Sequence, residues 1–167
     1  MTRIRKEVPS DAAAIEAVTV AAFHAATHTS RTEQFIVRAL REAGKLAISL
    51  VAEDQGQIVG HVAVSPVTVS DGASGLYGLG PISVAPGNQG QGVGALLVEH
   101  ALAELRAMGA AGCVVLGEPR YYSRFGFKTQ PTLVLPGVPP EYFQVISFSG
   151  SLPSGQVKYH DSFEATA

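Results

Sequence analysis

The stretch Leu79-Gly80-Pro81-Ile82-Ser83-Val84-Ala85-Pro86-Gly87-Asn88-Gln89-Gly90-Gln91-Gly92-Val93-Gly94-Ala95-Leu96-Leu97 concentrates the residues with a chemical use. It reads as a strand, a glycine-rich turn and the start of a helix. Unpaired backbone N–H groups point outward at a helix N-terminus, and the helix dipole adds positive potential there. Glycines let the backbone approach a phosphate closely. The chemistry is that of an anion site, and a pyrophosphate fits it. A P-loop requires Lys followed by Ser or Thr after its last glycine, but Gly92 is followed by Val93. A dinucleotide fingerprint is closer, because Gly90-x-Gly92-x-x-Ala95 fits its letters and Glu118 ends the next strand. Against it, five residues including Pro86 separate Val84 from Gly90, and the regular strand–helix alternation of such a fold is missing.

Other reactive side chains are scattered. Cys113 is the only cysteine and invites a covalent mechanism. Flanked by Val114 and Val115, it reads instead as a small hydrophobe in a buried strand. His24 and His28 fall in a loop and read as surface residues. His61 alternates with strand neighbours and is expected to face solvent, and His100 pairs locally on a helix. His160 lies near the C-terminus. The histidines lack ligand spacing and there is no second cysteine, so no metal is expected.

The elements that must position these residues follow from periodicity. Thr2 to Val8 reads as a strand. A helix starts at Pro9-Ser10-Asp11, with Ser10 or Asp11 able to cap it, and runs to about Ala26. Thr32 to Ala43 is a second helix that Gly44 stops. Leu46 to Glu53 and Ile58 to Ser70 are strands joined by the hairpin signal Asp54-Gln55-Gly56-Gln57. Leu76 to Val84 is a strand interrupted by Gly80-Pro81. Proline removes a ladder donor, so a bulge or splaying is expected there. Val93 to Met108 is a helix with Val93, Leu96, Leu97, Ala101, Leu105 and Met108 at helical spacing. Cys113 to Leu116 reads as a buried parallel strand. Arg120 to Phe125 forms a turn or two of helix. Strands at Tyr142 to Phe148 and Gln156 to Phe163 close the chain. The order predicts an α/β fold with a mixed sheet and helices on its faces.

Composition bounds the rest. A chain of 167 residues is expected to form a single domain, 1–167. Its 46% hydrophobic and 16% charged residues suit a packed core and exclude disorder. Twelve Lys+Arg against fourteen Asp+Glu leave a net charge of -2 with no basic stripe, so no nucleic acid partner is expected. The one basic cluster, Arg3, Arg5 and Lys6, reads as a solvated strand edge. Without an apolar run of about 20 residues no membrane span is expected. The charged N-terminus lacks a signal-peptide pattern. A lone cysteine suits a reducing compartment, so the cytoplasm is the expected location. Oligomeric state is not legible.

Gln89-Gly90-Gln91-Gly92-Val93-Gly94 resembles the Q/R-x-x-G-x-G/A signature that opens the main helix of GCN5-related N-acetyltransferases. Downstream, Tyr121-Tyr122-Ser123-Arg124-Phe125-Gly126-Phe127 looks like the family's Tyr-x-x-x-Gly-Phe element. The strand before the signature, the helix after it and the strand at Cys113 stand in family order. Leu116 to Phe127 resembles a stretch of an uncharacterised bacterial branch. The resemblance implies a GNAT-like, mostly antiparallel sheet with helices on both faces and a splayed cofactor cleft. It also implies acetyl-CoA as co-substrate. Backbone amides of Gln89, Gly90, Gln91, Gly92, Val93, Gly94 and Ala95 would cradle its pyrophosphate. Ile82, Ser83 and Val84 would pair with the pantetheine arm, and Leu116 and Gly117 would line the opposite wall.

Acetyl transfer to an amine needs removal of an ammonium proton, donors for the oxyanion and a proton for the leaving thiolate. A thiol titrates at about 8.5 and tyrosine at about 10, so Tyr122 near the sulfur suits the acid role. Tyr121 reads as core or substrate wall. A backbone N–H near Val84 is the expected oxyanion donor. Glu118, at a strand end, is the leading single choice for the base, ahead of His24, His28 and His160. The expected function is N-acetylation of a small-molecule or peptide amine by direct transfer in a ternary complex. The alternatives are a catalytically silent acyl-CoA-binding module and a nucleotide-binding oxidoreductase.

Overall fold

A computed structural model of the chain describes residues 1–24, 26 and 29–167. Its main sheet has six strands in the order β1-β2-β3-β5-β6-β8. These are β1 (Thr2–Lys6), β2 (Ile48–Asp54), β3 (Gln57–Pro66), β5 (Leu76–Val84), β6 (Gly112–Leu116) and β8 (Phe143–Ser147). Every neighbouring pair is antiparallel except β5 and β6. The turn between β2 and β3 takes positive φ at both Gln55 and Gly56, the geometry that matches hairpin twist. A second sheet, β4 (Thr68–Val69), β9 (Gly155–Lys158) and β7 (Leu133–Val134), was not foreseen. Accordingly the expected strands Ile58–Ser70 and Gln156–Phe163 are each broken, the latter by a 3-10 turn at Asp161–Glu164.

Helix α3 (Val93–Ala107) covers one face of the main sheet. Val93, Leu97, Val98, Ala101, Leu102 and Leu105 are buried there, packed with Leu50, Val62, Val64 and Leu79. Leu96 and Met108, expected on the same face, are exposed instead. The opposite face is shared. Helices α1 (Ala12–His24) and α2 (Glu33–Glu42) cover one half, with Ile15, Val37 and Val51 in contact. The small sheet covers the other half through Val69, Leu133 and Val157 against Leu76, Val114 and Val145.

The basic cluster near the N-terminus does structural work. Arg5 grips Asp11 through two bonds of 2.8 and 3.1 Å and reaches Glu53 at 3.2 Å. Asp11 also accepts the Val8 N–H at 2.8 Å, so it ties β1 to the start of α1. The Arg5 guanidinium holds the Asp11 carboxyl below its ordinary range. No membrane-length apolar helix occurs among the described residues.

His61 overturns an expectation. It is 1% exposed rather than solvent-facing. Its Nε2 meets Ser49 Oγ at 2.8 Å, and Ser49 donates to Glu7, which Arg41 grips at 2.8 Å. Burial pushes its pKa down to about 4, so the ring is neutral. A central strand of a sheet covered on both faces leaves His61 no wet side to turn to.

Candidate active site

The β5–β6 ladder runs from Leu76 opposite Gly112 to Leu79 opposite Val115 and stops. Beyond it, between the pairs Val64–Leu79 and Val62–Ile82, the single residue Ala63 of β3 faces two of β5, so β5 bulges at Gly80-Pro81. Proline has no N–H to give the ladder, which is why the break falls there. β5 and β6 diverge into a cleft of about 900 Å³. Past the bulge β5 still pairs with β3, but antiparallel partners exchange bonds only at alternate residues. The Ala85 N–H bonds Val59 O at 2.8 Å, which sets that alternation. Ser83, opposite His61, therefore turns its backbone to β3, and its Oγ lies 3.5 Å from Thr19 Oγ1. The backbone groups of Ile82 and Val84 turn toward the cleft. Val84 O is taken by Gln89 Nε2 at 3.0 Å.

That bond ties the glycine-rich turn to the end of β5. Gly90 and Gly92 have φ of +77° and +84°, a region other residues enter only with strain. Gly92 is the N-cap of α3, and its carbonyl accepts the Leu96 N–H at 3.1 Å. The amides of Val93, Gly94 and Ala95 precede that first helical bond and have no intrahelical acceptor. The first turn of α3 carries no acidic residue, so nothing cancels the positive end of the helix. Gln89, Gly90, Gln91 and Gly92 are exposed, and an anion can reach them. Open amides beside an unpaired strand edge fit a pyrophosphate with an amide-bearing arm.

At the other wall, Leu116 is exposed and Gly117 donates its N–H to Tyr142 O at 2.9 Å. Gly117 has to be glycine. A Cβ there would lie 2.4 Å from Tyr122 Cε2, because the tyrosine ring packs against its backbone. Tyr122 belongs to α4 (Pro119–Tyr122) and is buried between Tyr121 and Phe127, with edge-on centroid distances of 5.0 and 5.8 Å. Burial raises its pKa to about 12. Its hydroxyl thus stays protonated at ordinary pH and has a hydrogen to donate.

Tyr121 has a more specific place than core or wall. A Cβ at Gly94 would meet its hydroxyl at 3.1 Å, so Tyr121 reaches the α3 N-terminus. Arg124 stacks on its ring at 4.6 Å. Glu118 lines the cleft, exposed, as the N-cap of α4 with no capping side-chain bond. Among the described residues no histidine lines the cleft. His24 is exposed, His100 Nδ1 pairs with Leu96 O at 2.9 Å, and His160 Nδ1 is engaged by Ser162 at 2.9 Å. His28 lies outside the described residues. Cys113 is fully buried, and burial pushes its thiol far up, which suits a packing role. Among the described residues no group of three or more His, Cys, Asp or Glu could hold a metal ion.

Sequence reasoning missed several residues that line the cleft. Glu33 from α2 and Phe23 from α1 line it, as do Tyr142, Tyr159 and Phe163. Tyr159 rests on Gly78 of β5, where a Cβ would meet its ring at 2.4 Å. No local motif marks these residues. A glycine at Gly78 in a strand otherwise rich in larger side chains was the one available signal for a close neighbour.

A model of the acetyltransferase (GNAT) domain family matches residues 45–129. The uncharacterized N-acetyltransferase YhbS of Escherichia coli (strain K12) is 38% identical over 168 residues, covering 96% of this chain and 97% of the relative. A GNAT family acetyltransferase from Brucella melitensis, solved in complex with acetyl-CoA, is 47% identical. It aligns over 98% of each chain with a TM-score of 0.88. YhbS from Escherichia coli, solved in complex with CoA, is 35% identical in that alignment. It has a TM-score of 0.87 over 99% of this chain and 93% of that one.

Proposed function

The chain belongs to the GNAT family of acetyltransferases, and from that membership we propose that it moves acetyl from acetyl-CoA to a primary amine by direct transfer in a ternary complex. Residues 1–167 act as one N-acetyltransferase domain with a small-molecule or peptide acceptor, and the cytoplasm suits it. The observation that carries this reading is the split between β5 and β6 beside an open amide cradle. When bound, acetyl-CoA supplies a thioester, an acyl group activated for attack by nitrogen.

The chain's own groups do the rest. Amides from Gln89 to Ala95, chiefly those of Val93, Gly94 and Ala95, hold the pyrophosphate. Ile82 and Val84 pair with the pantetheine arm, with Ser83 anchoring that edge to β3, while Leu116 and Gly117 form the opposite wall. A backbone N–H near Val84, that of Ile82 on the cleft lining, donates to the carbonyl oxygen as negative charge builds on it. Tyr122 donates its hydroxyl hydrogen to the departing sulfur. A hydroxyl at about 12 lies roughly three units above a thiol at about 8.5. Hydrogen bonding to the sulfur therefore outweighs complete proton transfer in its contribution. Glu118 is open to solvent at the cleft and can pass the ammonium proton to water, alone or through a chain of waters.

A silent acyl-CoA-binding module keeps the same cradle but has no use for a buried, protonated tyrosine at the apex of the cleft. The oxidoreductase reading requires a doubly wound parallel sheet, and among the described residues only β5–β6 and β7–β9 are parallel. A panel of primary amines with acetyl-CoA, followed by free thiol release, tests the proposal. Amine-dependent release supports it. Acetyl-CoA binding without release from any amine favours the silent module.

A further inference from the structure

Glu33 opens α2 and lines the cleft on the side away from the glycine-rich turn. Packing of α2 against the C-terminal 3-10 turn and β5 fixes its place. Its two carboxylate oxygens are used differently. Oε2 accepts from Thr29 Oγ1 at 2.6 Å and from Ser30 Oγ at 3.5 Å. Oε1 is buried and has no hydrogen-bond partner among the described residues. Leaving a buried charged acceptor unpaired is costly, so such an atom in a native protein calls for a donor. A helix-starting glutamate needed only to brace the Thr29–Ser30 segment would be satisfied by Oε2 and could leave Oε1 in water.

The surroundings specify the donor. The only charged residues lining the cleft, among the described residues, are Glu33 and Glu118; no Lys, Arg or His lines it. An acceptor carrying a carboxylate meets two negative charges and no cation. An ammonium offers three N–H donors and the opposite charge. Phe23, Tyr142, Tyr159 and Phe163 add aromatic side chains to the lining that accommodate an apolar body. We infer that Glu33 selects the acceptor: a cationic primary amine on an apolar or aromatic body without a carboxylate, its ammonium received by the Glu33 carboxylate. This rests on the acetyl transfer proposed above and names the substrate class of that site.

Glu33→Gln keeps an acceptor for Thr29 and removes the charge. Calorimetry of phenethylamine and of phenylalanine against the full-length enzyme–CoA complex is the direct test, paired with steady-state kinetics. Phenethylamine is expected to bind more tightly than phenylalanine. Glu33→Gln is expected to weaken phenethylamine binding and raise its KM by about tenfold or more, the worth of a charged hydrogen bond. The thermal shift given by CoA stays the same. Equal phenethylamine binding by both proteins, or a wild-type preference for phenylalanine, overturns the inference while leaving acetyl transfer untouched. Glu33-dependent amine binding without thiol release from any amine supports the subsite and defeats the transfer reading instead.

Discussion

Gly117→Ala probes the apex of the cleft through geometry alone. The new methyl would lie 2.4 Å from Tyr122 Cε2 and 3.1 Å from Cδ2. Restoring an ordinary carbon contact of about 3.6 Å moves the ring by roughly 1.2 Å. Tyr121 and Phe127 hem that ring in edge-on, so the shift displaces packed neighbours as well. Overpacking of this kind costs about 1–3 kcal/mol, and Tm is expected to fall by several degrees. Misplacing a reacting group by about 1 Å costs about 10²-fold, so kcat falls by that factor. Tyr122→Phe is expected to lose about 10²-fold or more in turnover. No hydrogen bond to the protein engages its hydroxyl among the described residues, so Tm moves little. The double variant decides between a local and a general effect. If Gly117 acts by placing the Tyr122 hydroxyl, adding Gly117→Ala to Tyr122→Phe costs less than about threefold. The coupling then approaches about 2–3 kcal/mol. The assay is thiol release at saturating acetyl-CoA, with calorimetric affinity for acetyl-CoA as control because Gly117 also lines the cleft. Additive losses near 10⁴-fold, or a wild-type kcat in Gly117→Ala, would refute the reasoning.

Gly94→Arg fills the cradle at a point where even a Cβ approaches Tyr121, and it is expected to abolish stabilisation by acetyl-CoA. The wild type gains about 2.7 kcal/mol at a hundredfold excess over Kd, read as a thermal shift, and a variant that still responds contradicts the cradle. His61, held near 4 against an ordinary 6.5, keeps the native state from taking up a proton that the unfolded chain accepts. Stability present above about 6.5 is lost as pH falls toward 4, by up to about 3 kcal/mol. Urea unfolding between about pH 7.5 and 4.5 should show a shallower slope for His61→Gln, and an unchanged slope would discount the histidine. Alanine variants of Glu118, His24, His28 and His160 should each retain more activity than Gly94→Arg. A pH–rate profile in which one of them loses its low-pH limb and recovers at high pH would identify a single base instead.

The strand, glycine-rich turn and helix start beside the cleft were legible in the sequence because their physics is local. Strand, glycine turn and helix start follow one another in the chain, and free amides at Val93, Gly94 and Ala95 are a property of any helix N-terminus. The bulge at Gly80-Pro81 was equally readable, since a residue without an N–H announces its own break in a ladder. The motif singled out Tyr122, but its raised pKa comes from burial beside Gly117 and Phe127, which only packing supplies. The rest of the cleft lining was invisible. Glu33, Phe23, Tyr159 and Phe163 come from elements far apart in the chain, brought together by α2 docking on the C-terminal turn. Two-residue strands such as β4 and β7 are too short to show a period. His61 was misplaced because alternation tells one face of a strand from the other, but not which face is wet. That was decided when helices and a second sheet covered both sides, and the free energy of taking a charge out of water then set its pKa.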